Sequence, residues 1–282
     1  MTEASIGLGI DIGGTGVKAA VVDLASGSLV SERIRVRTPT PSTPEAVLDV
    51  VADVVRRLEA QVDLADDVPV GCGLPGVIVD GRLVTAANID PGWMGVAADE
   101  LVGGRIGRRV QALNDADAAG IAEMTFGVGR GRRGTVLLLT VGTGIGSALF
   151  RDGLLVPNTE LGHLELNGRE AEKRLSGAAR QRRNLKWRAW ATEFNVYLGR
   201  LEAYLWPDAI IIGGGVSKAF AEYGDRLETR APILVAEYLN AAGIVGAALY
   251  AAAPRRAMGT ALRRDGGPAA AELEPVLSGN GR

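Results

Sequence analysis

The sequence predicts an α/β protein built as a duplicated pair of lobes around a cleft, and three observations carry that prediction. One short pattern occurs twice: LGIDIGGTGVKAAVVD sets Asp11 before Gly13, Gly14 and Thr15, and LLLTVGTGIGSALFRD sets Thr140 before Gly142, Thr143, Gly144 and Gly146. Each copy opens a run of strand-like segments that gives way to helical ones, the signature of two equivalent layered units. With 282 residues, the chain also has enough apolar material for two cores of ordinary size.

The elements follow in order. Residues 6–36 read as strand, turn, strand, turn, strand, with hairpin chemistry at Asp23 to Ser28. PTPSTP is a loop into the helix EAVLDVVADVVRRLEA, whose apolar residues recur at helical spacing and whose start has Thr43 as N-cap before Pro44. A buried strand VPVGCGLPG follows, then the hairpin VIVDGRLV around Asp80-Gly81. RRVQALNDADAAGIAEMTFG reads as a short strand that stops at Asn114-Asp115 and feeds a helix, and it is the candidate crossover between lobes.

The second half repeats the plan: a hairpin over 135–157, a polar basic stretch over 167–188, a helix over about 187–205, the strand DAIII, the turn GGGVS and a further helix. The expected division is a first lobe over 1–115, joined by a C-terminal helix at 241–253, and a second lobe over 116–240. From Pro254 the tail is rich in Gly, Pro, Ala and charge without period and is expected to be disordered.

Composition excludes several functions. The 31 Lys+Arg balance 33 Asp+Glu to a net charge of −2, so no whole-molecule field recruits nucleic acid or an anionic membrane, and any basic site is local. Cys72 stands alone, which rules out an internal disulfide and a multi-cysteine zinc site and fits a cytoplasmic protein. The N-terminal residues lack a basic, apolar export signal. The apolar stretch from Ala241 to Ala253 is too short to span a bilayer, which needs about 20 residues.

Glycine-rich turns carry the chemistry. No G-x-x-x-x-G-K-[ST] occurs, and the G-x-G-x-x-G at Gly129, Gly131 and Gly134 follows a helix and precedes a strand, the reverse of the dinucleotide fingerprint. It reads as a surface loop. The repeated hairpins could be ordinary tight turns, but both keep a polar residue and several glycines, so they suit two facing cradles of backbone N–H groups for phosphates. Asp11 would then serve a Mg²⁺ ion through water, with Thr15, Thr140 and Thr143 as hydroxyl donors.

Two further constellations complete the candidate site. Asp115, at the end of a strand and the start of a helix, is either a helix cap or a general base at the ligand edge of an α/β sheet. In NTELGHLE, His163 is the only histidine of the chain and lies close in sequence to Glu160 and Glu165. Carboxylate and imidazole together suit a polyhydroxylated ligand, and metal binding is the poorer reading. The turns GLPGVI and NIDPGW are nondescript alone.

In order, DIGGT, LPG, NDADAAG, LLLTVGTGIGSALF, ELGH and IIIGGGVS resemble the ROK family of repressors, open reading frames and sugar kinases over about residues 8–252. Within it, NTE-GHLE and AGIVGAA are similar to the polyphosphate/ATP-dependent glucokinases and glucomannokinases. The resemblance implies an actin-like (ribonuclease H-like) fold and a hexokinase-type reaction that phosphorylates glucose, and also mannose, at its 6-hydroxyl. Asp115 would be the base, and Gly76, Asn88, Asn114, Glu160, His163 and Glu172 would line the sugar site. Asp11, Gly13, Gly14, Thr15, Lys18, Thr140, Gly142, Thr143, Gly144, Gly213, Gly214 and Gly215 would hold the donor, polyphosphate or ATP, with Mg²⁺. Where zinc-bearing relatives have C-x-E-x-x-x-S-G, this chain has EAEKRLSG, so zinc is expected to be absent and something else must order the loop of Glu172. The resemblance also leaves a homodimer open.

The donor is read from charge. Arg169, Lys173, Arg174, Arg180, Arg182, Arg183, Lys186 and Arg188 face only Glu170 and Glu172 within their stretch, which makes it either a solvated surface or a track for polyphosphate. Arg105, Arg108, Arg109, Arg130, Arg132 and Arg133 would extend the track, and GGGVS would suit adenosine. The alternatives are an ATP-only kinase of N-acetylmannosamine or fructose and a non-catalytic sugar-binding protein. A repressor is disfavoured, because DIGGT begins at Asp11 and leaves no room ahead for a DNA-binding module.

Overall fold

A computed structural model describes residues 6–253; the tail expected to be disordered lies outside the described residues. The chain begins with an antiparallel meander, β1 (Ile6–Gly13), β2 (Gly16–Asp23) and β3 (Ile34–Val36). The helix α1 (Pro44–Glu59) follows, capped at Thr43, whose hydroxyl accepts the Ala46 N–H ahead of Pro44 as expected. Next come β4 (Val70–Leu74), the small hairpin β5 (Ile78–Val79) and β6 (Arg82–Leu83), α2 (Ala98–Ile106), β7 (Val110–Asn114) and α3 (Asp115–Thr125).

The second half contains β8 (Thr135–Val141), β9 (Ile145–Arg151), β10 (Leu154–Val156), the short helices α4 (Ala171–Leu175) and α5 (Gly177–Arg182), and the long α6 (Trp187–Leu205). It closes with β11 (Ala209–Gly213), β12 (Ile233–Val235) and α7 (Ala242–Ala252). Among the described residues no helix is long and apolar enough to cross a membrane.

The repeat seen in the sequence becomes a repeat of topology. One five-stranded sheet runs β3-β2-β1-β4-β7 and the other β10-β9-β8-β11-β12. In each, the central hairpin is antiparallel and the two strands beyond it are parallel. The period of two along each strand divides the core into layers. Leu8, Ile10 and Ile12 face α1 on one side of the first sheet, while Leu137, Leu139 and Val141 of the second face α6. Val136, Leu138, Ala148 and Phe150 face inward onto α3 and α7, which fill the space between the sheets.

The two central helices meet closely. A Cβ at Gly246 would fall on the carbonyl of Ala118, so α3 and α7 could not keep their separation. Gly246→Val is therefore expected to destabilise the protein by about 1–3 kcal/mol through overpacking, read as a lower urea midpoint with unchanged slope.

One expectation is corrected and one open alternative is resolved. The basic stretch carries α4 and α5. The helix expected after GGGVS is instead a run of 3₁₀ turns over Gly215–Glu222, interrupted at Ala219 (φ −103°, ψ 19°). The Asp at the start of α3 is not the cap: Asn114 is, accepting the N–H groups of Ala116 (2.8 Å) and Asp117 (3.0 Å).

Candidate active site

Because parallel strands end on the same edge, β1, β4, β7, β8 and β11 deliver their C-terminal residues and the following turns to one place. There they line a cleft of about 680 Å³ that contains every residue the ROK resemblance assigns to sugar, donor or metal. The donor end is formed by the two repeated turns. Asp11 and Lys18 are register partners across β1 and β2, and the Lys18 Nζ lies 2.6 Å from the Asp11 Oδ2. Thr38 donates its hydroxyl to the Gly13 carbonyl and fixes the first turn. In the second turn the Gly142 N–H donates to the Gly144 carbonyl (2.9 Å), and Thr140 lies opposite Gly146. Gly214, at φ 75° and ψ −167°, bends the chain after β11 so that residues 213–215 lie beside the second turn, a conformation glycine alone adopts readily.

Asp115 stands at the centre. Since Asn114 caps α3, the Asp115 carboxyl is left to the half-buried floor of the cleft. Burial, then the nearby Asp11 carboxylate and Glu160, push its pKa up to about 7, against the pull of the Ala116 N–H and Lys18. A carboxylate tuned to neutrality can take up a proton at working pH.

The sugar end is organised around Asn114. Its side-chain amide donates to the Gly76 carbonyl (3.1 Å) and to Glu160 Oε1 (3.2 Å), so all of its hydrogen-bonding capacity is engaged by protein groups. In this conformation Asn114 fastens the sugar-binding elements to one another. Glu160 also lies 3.5 Å from His163 Nε2; burial raises its carboxyl while His163 pulls it down. Glu172 is buried, accepts the Ile145 N–H (3.4 Å) and lies 3.1 Å from Lys173 Nζ. A Cβ on Gly144 would come within 2.6 Å of Glu172 Oε2 and 3.1 Å of the Asn88 amide, which marks where second turn and sugar end meet.

The loop of Glu172 is ordered by packing. Leu166, Ala171 and Leu175 are buried against Trp190, Phe194 and Tyr197, and the Trp190 indole donates to the Leu175 carbonyl (2.8 Å). Ligand atoms of His163, Glu170 and Glu172 lie within 4.8 Å of one another, a grouping the sequence spacing did not reveal. Lys173 already supplies a cation there, within 3.5 Å of Glu170 and 3.1 Å of Glu172.

Sequence reasoning missed Asn158. It adopts φ 61°, its backbone N–H donates to the buried Asp117 (2.8 Å), and its side chain pairs with both the N–H and the carbonyl of Ile78 (2.9 and 2.8 Å). It thereby links the segment before Glu160 to the segment after Gly76. The only signal was a polar residue beside Glu160.

The basic stretch is not the open track that its composition suggested. Arg183 grips Glu193 with two bonds (2.7 and 2.8 Å) and Arg174 reaches the same carboxylate (3.3 Å). Of the basic residues in the stretch, only Arg180 lines the cleft, and its guanidinium stacks 3.7 Å over the Trp187 ring. Arg105 pairs with Asp49 and Arg108 with Glu59, on α1; neither they nor Arg109, Arg130, Arg132 and Arg133 line the cleft. The cations that do reach it include Lys18, Arg33, Arg35 and Lys218.

Known proteins are similar in sequence and fold. The polyphosphate glucokinase of Mycobacterium tuberculosis (strain CDC 1551 / Oshkosh) is 43% identical over 248 residues, covering 88% of this chain and 91% of its own. The inorganic polyphosphate/ATP-glucomannokinase from Arthrobacter sp. strain KM matches with a TM-score of 0.86 and 48% identity, over 88% of this chain and 98% of that one. A ROK family glucokinase from Streptomyces griseus, solved with glucose and AMPPNP, matches with a TM-score of 0.76 and 27% identity, over 88% and 99%. The ROK family model itself matches residues 7–179. By its fold, its ordered motifs and this match, the chain belongs to the ROK family.

Proposed function

We propose that the protein is a hexokinase-type phosphotransferase that transfers the terminal phosphoryl group of polyphosphate or ATP to the 6-hydroxyl of glucose, and of mannose. The observation that carries this reading is the Asp115 carboxyl, released from helix capping by Asn114 and raised to about 7 between two phosphate-type turns. The names of the polyphosphate glucokinase and glucomannokinase relatives support the substrate and donor. The two lobes are then residues 1–115 with α7, and 116–240.

The sugar lies against Gly76, Asn88, Glu160, His163 and Glu172. Carboxylates accept from its hydroxyls and the imidazole completes the set. Asp115 takes the proton of the 6-hydroxyl as that oxygen attacks the terminal phosphorus. The bond from phosphorus to the bridging oxygen breaks, and the donor leaves as ADP or as a chain one phosphate shorter. The N–H groups of the two turns and Lys18 hold the phosphate oxygens, because phosphoryl transfer asks chiefly for positioning and charge stabilisation.

The donor end fits Mg²⁺: Asp11 is a single hard carboxylate beside the phosphate cradle, and Mg²⁺ is commonly held by one or two carboxylates together with phosphates and water. Asp11 would hold it through water, and the ion would neutralise charge on the donor. Zinc has no part in this reading.

Because Asp115 must be ionised to act, kcat/KM is expected to fall about tenfold per pH unit below about pH 7 and to level off above it. A pH profile of kcat/KM for glucose checks this, and a flat profile from pH 5 to pH 8 would count against Asp115 as base. Assays with glucose, mannose, fructose and N-acetylmannosamine, each against ATP and polyphosphate, test the substrate. Turnover of N-acetylmannosamine or fructose alone would replace the glucose reading.

A further inference from the structure

The relatives' names leave open how a long polyanion, rather than a nucleotide, would lie in this cleft, and the edge of the first sheet offers an answer. In β3, Ile34 and Val36 point into the core on the α1 side, so Arg35 projects from the opposite face, and Arg33 lies two residues ahead of it, just before the strand. Arg35 is the register partner of Lys18, which is the partner of Asp11, so Asp11, Lys18 and Arg35 form one row across the three strands. The Arg35 guanidinium reaches the first turn: a Cβ at Gly16 would lie 2.9 Å from its Nε. Both arginines are exposed, both line the cleft, and neither has a carboxylate partner among the described residues, whereas Asp11 is already matched by Lys18.

Arg33 and Arg35 lie two positions apart and both line the cleft, so they offer two guanidinium groups rather than a single point. The pair extends from the phosphate turn along the edge strand of the first sheet. Two planar donors with no carboxylate partner among the described residues suit successive phosphates, which they can each bind with paired N–H groups. The alternative end of the cleft differs in kind, since there Arg180 is tied to the Leu185 carbonyl (2.6 Å) and covered by the Trp187 ring.

We propose that Arg35 and Arg33, continuing from Lys18, form the track for the distal phosphates of a polyphosphate donor, beyond the group held between the two turns. This rests on the kinase reading above and deepens it, by separating the path of polyphosphate from the end that receives adenosine.

The test is steady-state kinetics of the full chain with long-chain polyphosphate, tripolyphosphate and ATP. For R33Q/R35Q, the KM for long-chain polyphosphate is expected to rise about tenfold, that for tripolyphosphate less, and those for ATP and glucose to stay within about twofold. R33K/R35K should recover most of the loss, because it restores charge on the same exposed face. K186Q/R188Q should leave all three donors unaffected. An unchanged polyphosphate KM in R33Q/R35Q would overturn the track. An equal rise for ATP would also overturn it, as would a polyphosphate defect appearing in K186Q/R188Q instead. Failure of the kinase reading is seen separately, in wild-type protein that forms no hexose phosphate from any donor.

Discussion

Replacing Asp115 by asparagine is expected to lower kcat by about 10² to 10⁴ while leaving the KM for glucose within about twofold. The amide has nearly the shape of the carboxylate and can still hydrogen-bond a hydroxyl, but it cannot accept the proton released as the new bond forms. The same substitution removes a desolvated carboxyl. The folded-state pKa of Asp115 lies above its ordinary value, so between about pH 4 and pH 7 the folded protein retains a proton that the unfolded chain releases. Its contribution to stability is therefore lost as pH rises through that window. At pH 8 the asparagine variant should melt no lower than wild type and with a higher midpoint. Loss of turnover with undiminished stability separates a base from a structural carboxyl, and both are read from one preparation by coupled assay and calorimetry.

The second large effect belongs to Asn114. Alanine there removes the cap of α3, worth about 1 kcal/mol, and withdraws two donors from the Gly76 carbonyl and Glu160. An unmet buried acceptor costs about 1–3 kcal/mol, so N114A is expected to lose about 2–4 kcal/mol in urea unfolding. N114S should recover only the capping part. In both variants Glu160 loses its anchor, so the KM for glucose should rise more than kcat falls. Unchanged stability in N114A would contradict the account of Asn114 as the tie between the two sides of the sugar end.

These two neighbours show what the sequence discloses and what it hides. NDADAAG marks a strand end and a helix start, which places Asn114 and Asp115 at the ligand edge before any coordinates are known. Which of them caps the helix depends on side-chain direction, and only the structure assigns that task to Asn114 and releases Asp115. The repeated turns were legible because phosphate cradles need glycine at fixed offsets, and the repeat extends to the order of both sheets.

Other elements left weaker marks. In α2, ADELVGGRI carries two glycines and little periodicity, and β12 is three residues long, so neither declares itself in a single sequence. The basic stretch misled because charge was counted along the chain. Its partner Glu193 lies on α6, and folding brings the opposite charges together across elements. Arg35 is the converse case, an ordinary surface arginine until strand register sets it beside Lys18 and the first turn.

The central claim is that this cleft moves a phosphoryl group onto a hexose rather than onto water. The most direct test is ³¹P NMR of the protein with glucose, Mg²⁺ and either ATP or polyphosphate. A sugar phosphomonoester resonance is expected to grow, matched by loss of terminal donor signal, and to grow far more slowly in D115N. Accumulation of orthophosphate alone, or an unchanged donor spectrum with both donors, would contradict it.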